Sequence, residues 1–216
     1  MLKYRKCTGY CFLLIICLFF ACSEDEQEKI YDSQIELATI CDREGQFYFL
    51  LDNGKTILPD RKIDSELDLN DNRRVRVLFS VVQENAEGFE AIATIHSLAF
   101  VQVLPILRLS PEKEPQWGND SIGVESIWIG SHYLNFSFYV YADSKMHSVN
   151  LLQTKSAEND SIYLEIRHNA NEDFPAYRKK GIISFDLEDL EKQKPVHLAI
   201  TVNTYSGKKT YYRKLN

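Results

Sequence analysis

Between Ile35 and Lys214 nearly every patterned stretch of apolar and polar residues reads as a strand. In the first half these are Ile35–Ile40, Phe47–Leu51, Thr56–Leu58, and the alternation of Val75, Val77, Phe79 and Val81 with Arg74, Arg76, Leu78 and Ser80. A run from Phe89 to Val103 follows, long enough to bend or divide. Asp52-Asn53-Gly54-Lys55 lies between two of the strands, and Asn-Gly favours a hairpin because both central residues tolerate positive φ. A second set begins after Pro111, Pro115 and a Trp117-Gly118 turn. It comprises Ile127–Tyr141 with a break at Gly130-Ser131, then Ser148–Leu152, Ile162–Arg167, Gly181–Phe185, Val196–Tyr205 and Thr210–Lys214. Leu187–Lys192 is the one helical scrap, a single turn. The expected fold is all-β in two domains, 34–108 and 109–216, divided where prolines and charges cluster between Arg108 and Pro115. Strands at the spacing of the second half suit a sandwich.

The N-terminus follows a different pattern. Lys3, Arg5 and Lys6 precede an apolar run from Tyr10 to Ala21, shorter than the roughly 20 residues that a membrane span requires. A basic start, a short apolar run and a small residue describe a secretory signal, here residues 1–21. Phe19-Phe20-Ala21-Cys22 resembles a bacterial lipobox, with phenylalanine at two upstream positions in place of the usual Leu, Ala, Ser and Gly. Cys22 is then the lipidated first residue of the mature chain, and several acyl chains together give a stable anchor. An uncleaved anchor is the alternative, and it too ties the N-terminus to a membrane. Ser23-Glu24-Asp25-Glu26 resembles the acidic export signal of surface lipoproteins in the Bacteroidota. Residues 22–33 also read as a solvated tether, since a polar run cannot pack. The expected location is the outer membrane, facing the cell exterior.

Loss of the leader removes three of the 25 basic residues and none of the 31 acidic ones, so the net charge moves from −6 to −9. That excludes nucleic acid as the expected partner, because such binding depends on Lys and Arg neutralising phosphates. Of the five cysteines, Cys7, Cys11 and Cys17 lie in the leader and Cys22 carries lipid. Cys41 alone remains, so no intramolecular disulfide can form and the fold depends on its cores.

The stretch "FYFLLDNGKTILP" resembles the N-terminal OB-like domain of the NigD-like lipoproteins, and "IWIGSHYLNFSF" with "MHSVNLL" resembles their C-terminal β-sandwich. The resemblance covers essentially the whole chain and implies a five-stranded OB-like barrel followed by a sandwich. It implies an envelope lipoprotein associated with bacteriocin gene clusters, and it transfers no catalytic residue.

Candidate chemistry is sparse. There is no Gly-x-Ser-x-Gly elbow, P-loop, dinucleotide fingerprint or His-Glu-x-x-His. His96, His132, His147, His168 and His197 show no ligand spacing, and no metal or cofactor is expected. Asp68, Asn70 and Asp71 suit calcium by type but read better as a turn. Cys41 reads as a packing residue and not a nucleophile. Arg73, Arg74 and Arg76 form the one basic cluster of the first domain, expected on an exposed strand, and Trp117 is expected to plug the seam between domains.

The most informative strand is Leu134–Tyr141. Leu134, Phe136, Phe138 and Val140 share the core face, which leaves Tyr133, Asn135, Ser137, Tyr139 and Tyr141 as a glycan- or protein-contact face roughly 26 Å long. Tyrosine also simply favours strands. "NDSI" occurs twice, and Asp-Ser-aliphatic resembles an O-glycosylation acceptor pattern of Bacteroidota envelope proteins, with Ser121 and Ser161 as acceptors in loops before strands. The leading expectation is a surface lipoprotein, not an enzyme, that recognises a protein or glycan. A hydrolytic accessory enzyme and a bacteriocin-associated self-protection factor are the alternatives.

Overall fold

The computed structural model describes residues 32–63, 72–86, 88–109, 116–155, 160–191 and 197–215. Cys22, the acidic run Ser23–Glu26, and Asp68, Asn70 and Asp71 lie outside them. The period-two segments form strands as expected. β1 (Gln34–Arg43), β2 (Gln46–Leu51), β3 (Thr56–Pro59), β4 (Arg74–Glu84) and β5 (Ala91–Phe100) close a barrel in the order β1-β2-β3-β5-β4. Alternate residues fill its interior, including Ile40, Phe49, Leu51, Ile57, Val75, Val77 and Phe79. Val81 departs from this face and is exposed. It lies beside a register shift on β4, where Val81 pairs with Ala93 and Gln83 with Ile92, leaving Val82 as an extra residue. At the β2–β3 turn Gly54 alone takes positive φ, at 84°, while the Asn53 side chain accepts from the Lys55 N–H. The connection is thus a three-residue loop with glycine in the left-handed region, and not a two-residue hairpin.

The second domain is a sandwich. One sheet contains β7 (Ile106–Arg108), β10 (Ser148–Gln153), β11 (Ser161–Asn169), β13 (His197–Thr204) and β14 (Gly207–Lys214), in the order β14-β13-β11-β10-β7. The other contains β6 (Gln102–Leu104), β8 (Gly123–Gly130), β9 (Tyr133–Ala142) and β12 (Tyr177–Asp186), in the order β6-β12-β9-β8. Leu134, Phe136, Phe138 and Val140 of β9 face the core, where they meet residues such as Leu151, Leu164, Ile166 and Ile200. The helical turn α1 (Glu188–Glu191) falls where the sequence suggests it. The domain boundary does not. β6 and β7 pair with β12 and β10, so residues 102–108 belong to the sandwich and the division moves from 108 back to about Val101. Backbone pairing decides this, because the apolar run Phe89–Val103 has no composition change at its crossing point.

The two domains meet through a charge. Arg74 opens β4 and is 2% exposed, so it is not part of an exposed basic strand. Its Nη2 pairs with Asp52 and donates to Asn135 Oδ1 at 3.1 Å. Its Nε donates to Ser184 Oγ at 3.3 Å, and its guanidinium lies 4.5 Å from the centre of the Tyr133 ring. Asp52 in turn accepts from Asn135 Nδ2 at 2.8 Å and from Trp128 Nε1 at 3.3 Å. Ser184 Oγ donates to Asn135 Oδ1 at 2.7 Å, which fixes the orientation of the amide. Gly130 permits this approach, since a Cβ there would sit 2.3 Å from Asp52 Cγ. Trp128 therefore occupies the seam. The segment around Trp117 packs instead on the sandwich, where Gly118 O accepts from Arg167 and Gln116 O from Asn169.

A buried ion pair adds little net stability, but removing one partner strands the other charge. Arg74→Ala is expected to cost about 3–5 kcal/mol in chemical denaturation. Arg74→Lys is expected to recover little of this, because an ammonium cannot reproduce the fork that reaches Asp52, Asn135 and Ser184 together.

Candidate recognition face

The pairing of β9 with β8 and β12 places Tyr133, Asn135, Ser137, Tyr139 and Tyr141 on the outer side of the four-stranded sheet. The structure divides that row. Tyr133 is 4% exposed and Asn135 fully buried, both under the barrel, so these two are not contact residues. Burial, followed by the charge of Asp186, pushes the Tyr133 hydroxyl up, while Arg74 opposes it. Ser137 is half-buried and donates to Glu125 Oε2 at 3.3 Å. The uncovered part begins at Tyr139.

The Tyr139 ring is already used. Arg178 stacks over it at 4.0 Å, the Tyr205 ring lies 5.7 Å away at 24°, and a Cβ on Gly123 would sit 2.1 Å from Tyr139 Cζ. Glycine at 123 is thus what lets the ring lie down on β8. Tyr141 and Tyr205 remain open, 42% and 46% exposed. They meet edge-on at 5.5 Å, and the Tyr205 hydroxyl accepts from the Tyr141 N–H at 3.2 Å. Beside them, Tyr139, Thr204, Tyr205, Ser206, Lys209 and Tyr211 line a cleft of about 280 Å³. Glu125 accepts from Lys180 Nζ at 2.7 Å and Arg178 Nη2 at 3.2 Å. Lys180 holds its carboxyl below the usual range against the opposing effect of burial. The sequence reading missed Tyr205 and Arg178. Tyr205 sits in a turn, and nothing in its neighbours signals that this turn folds over β9.

At the same end of the sandwich, two histidines that are far apart in sequence converge. Asp173 accepts from the backbone N–H groups of Asp143, Ser144 and Lys145 at 2.7–3.3 Å. It also meets His147 Nε2 at 3.2 Å. His147 Nδ1 lies 2.9 Å from His168 Nε2, and His168 Nδ1 lies 3.1 Å from the Ser121 carbonyl. Both ends of this row, a carboxylate and a carbonyl, only accept. Burial, and then the charge of His147, push His168 down, while the Ser121 carbonyl and Asp120 oppose them. Burial disfavours the Asp173 carboxylate, but the backbone donors and His147 outweigh it and hold its pKa well below the usual range. Both nitrogens of His147 are committed, and among the described residues no group of three or more His, Cys, Asp or Glu is arranged to hold a metal ion. His96, which meets Ser80 Oγ at 2.9 Å, and His132 and His197 lie elsewhere.

The candidate acceptor serines are both half-buried. Ser121 lies in the loop before β8, whereas Ser161 is the first residue of β11, in register with His197, and not in a loop. Cys41 is half-buried, with its thiol 3.7 Å from the Thr39 carbonyl.

These shifts give the pH response a sign. The folded His168 resists a proton that the unfolded imidazole accepts, so its contribution is complete above about pH 6.5 and declines as pH falls below that value. The Asp173 contribution is present above the unfolded carboxylate value, about 3.9, and is lost as pH falls below it. Thermal unfolding is expected to show Tm falling from pH 7 to 5. His168→Gln should flatten that interval, and Asp173→Asn should flatten the interval below pH 4.

No curated protein matches the chain. Among solved structures, a protein of unknown function from Bacteroides vulgatus superposes with TM-score 0.77 at 24% identity, covering 85% of this chain and 91% of that one. A protein from Bacteroides caccae described as a NigD-like immunity protein gives 0.59 at 21%, covering 83% and 91%. One from Bacteroides fragilis described as a putative lipoprotein gives 0.64 at 13%, covering 85% and 98%. At these identities the likeness carries the fold alone. Two family models match as well, the NigD-like N-terminal OB domain over residues 25–101 and the NigD-like C-terminal beta sandwich domain over 105–215. With barrel and sandwich both matched along nearly the whole chain, this protein belongs to the NigD-like family.

Proposed function

We propose that this chain is an envelope lipoprotein, anchored to the outer membrane through lipid on Cys22 and displayed on the cell exterior, that works by recognising a partner and not by catalysis. The observation that carries this reading is the divided face of β9. Its Tyr133–Asn135 half is consumed by the chain's own barrel, while Tyr141 and Tyr205 stand exposed yet held by ring and hydrogen-bond contacts. Aromatic rings ordered before binding lose little entropy on contact and are typical anchors of recognition surfaces. Tyr177, Phe174 and Met146, exposed by 67%, 72% and 85%, extend an apolar surface at the same end of the sandwich. Methionine and aromatic side chains together favour a protein partner over a glycan.

The description of the B. fragilis structure as a putative lipoprotein supports the reading of Cys22. That of the B. caccae structure supports a second reading, in which the recognised partner is a toxin and the protein protects its own cell.

Pull-down from intact cells is the direct test. Tyr141→Ala together with Tyr205→Ala is expected to weaken capture of the partner by about tenfold or more, with cooperative thermal unfolding retained. Unchanged capture would remove this face from consideration. Protease shaving of intact cells is expected to cleave the protein, and Cys22→Ser to release it from the membrane fraction. Deletion is expected to sensitise the cell to its own toxin only under the self-protection reading. Intact mass of the natively produced protein tests Ser121 and Ser161: a mass of lipid plus polypeptide alone rules out glycosylation.

A further inference from the structure

β12 has ten residues, and all ten pair with β9 on one side. On the other side β6 reaches only Ile183–Phe185. Among the described residues, no strand flanks Tyr177–Ile182 on that side, so about 20 Å of sheet edge lies open. Edges of this kind are usually blunted by proline, by a bulge or by charges standing over them. This one contains no proline, and its ladder with β9 runs without a register shift. Its three cations are turned away from the edge. Arg178 stacks on Tyr139 and pairs with Glu125, Lys180 pairs with the same Glu125, and Lys179 Nζ donates to the Asp143 carbonyl at 2.7 Å. The backbone is therefore accessible, with Arg178, Lys179 and Lys180 in succession along it. Glu125 is shared by two of these cations, and Lys179 meets a carbonyl and not a carboxylate.

We infer that Tyr177–Ile182 of β12 is a strand-addition site that takes an extended, acidic segment of a partner protein as a further strand of the four-stranded sheet. Main-chain hydrogen bonds to an open edge supply affinity in this mode of binding, and alternate side chains supply selectivity. A second copy of this chain is the wrong occupant. Two copies of this edge paired antiparallel set Arg178, Lys179 and Lys180 against one another, and like charges directly opposite destabilise a sheet. Acidic residues at alternate positions of a partner strand reach Lys180 and Arg178, while its other side chains lie toward Tyr177, exposed at the start of the edge. The inference rests on the proposed recognition role only in placing a partner at this end of the sandwich. It uses the backbone of β12, where that proposal uses Tyr141 and Tyr205.

The probe is a capped peptide of about ten residues alternating Glu and Val, added to the full mature chain and followed by NMR. Three controls accompany it: a Lys–Val counterpart, the Glu–Val peptide N-methylated at alternate residues, and the double variant Arg178→Gln, Lys180→Gln. The acidic peptide is expected to shift the amides of Tyr177–Ile182 and to protect those that face the edge, which alternate with the ones bonded to β9. The Lys–Val peptide and the double variant should each weaken binding about tenfold or more. N-methylation should abolish binding although it leaves the charge unchanged. A variant Tm near that of the parent shows that the charge change leaves the fold intact. Equal binding of the N-methylated peptide, or shifts confined to residues outside β12, would overturn the inference. So would protection of the edge-facing amides, those that alternate with the ones bonded to β9, before peptide is added, whether sedimentation shows a dimer or removal of residues 22–31 exposes them. Loss of peptide binding with Tyr141 and Tyr205 still required for capture from cells would sink the strand site alone, and leave the tyrosine face standing.

Discussion

The Arg74–Asp52 pair is the constraint on which the arrangement of this molecule depends. A guanidinium excluded from water is tolerated only when its donors are met, and here one residue of β4 reaches the barrel turn after β2 and two strands of the sandwich. Asp52 is met from both domains, by Arg74 on one side and by Asn135 and Trp128 on the other. Neither domain can satisfy these groups alone. The ion pair thus specifies how the domains meet more than it stabilises either, and Gly130 supplies the space that lets Asp52 approach.

Docking in this way decides what the outer face of the sandwich can do. One strand, β9, passes from a buried polar junction to an open aromatic end, and the change falls between Asn135 and Tyr139. At the open end, side chains are held by their neighbours and not by a core. Tyr139 lies between Arg178 and Gly123, Tyr205 folds over from the β13–β14 turn, and Glu125 gathers Arg178 and Lys180. The loops beside it are fixed by electrostatics of another kind. Asp173 gathers three backbone donors and, through His147 and His168, ties them to the Ser121 carbonyl. Met146 and Phe174 stand exposed on those loops, so the apolar surface there is carried on a hydrogen-bonded frame.

The sequence by itself determined the strands, because alternation along one chain reports which side chains need burial. Leu134, Phe136, Phe138 and Val140 show this, as do Val75, Val77 and Phe79. It could not place residues 102–108, because pairing partners lie some 45 to 80 residues away and leave no mark on the local pattern. It also misjudged Arg74 and Tyr133, since period two assigns a side chain to a face without saying what covers that face. Only the tertiary structure decided that the barrel buries half of β9, that His147 meets His168, and that β12 keeps an open edge. Each depends on long-range pairing and docking, where hydrogen-bond geometry and buried charge choose among arrangements that the alternating pattern leaves equal.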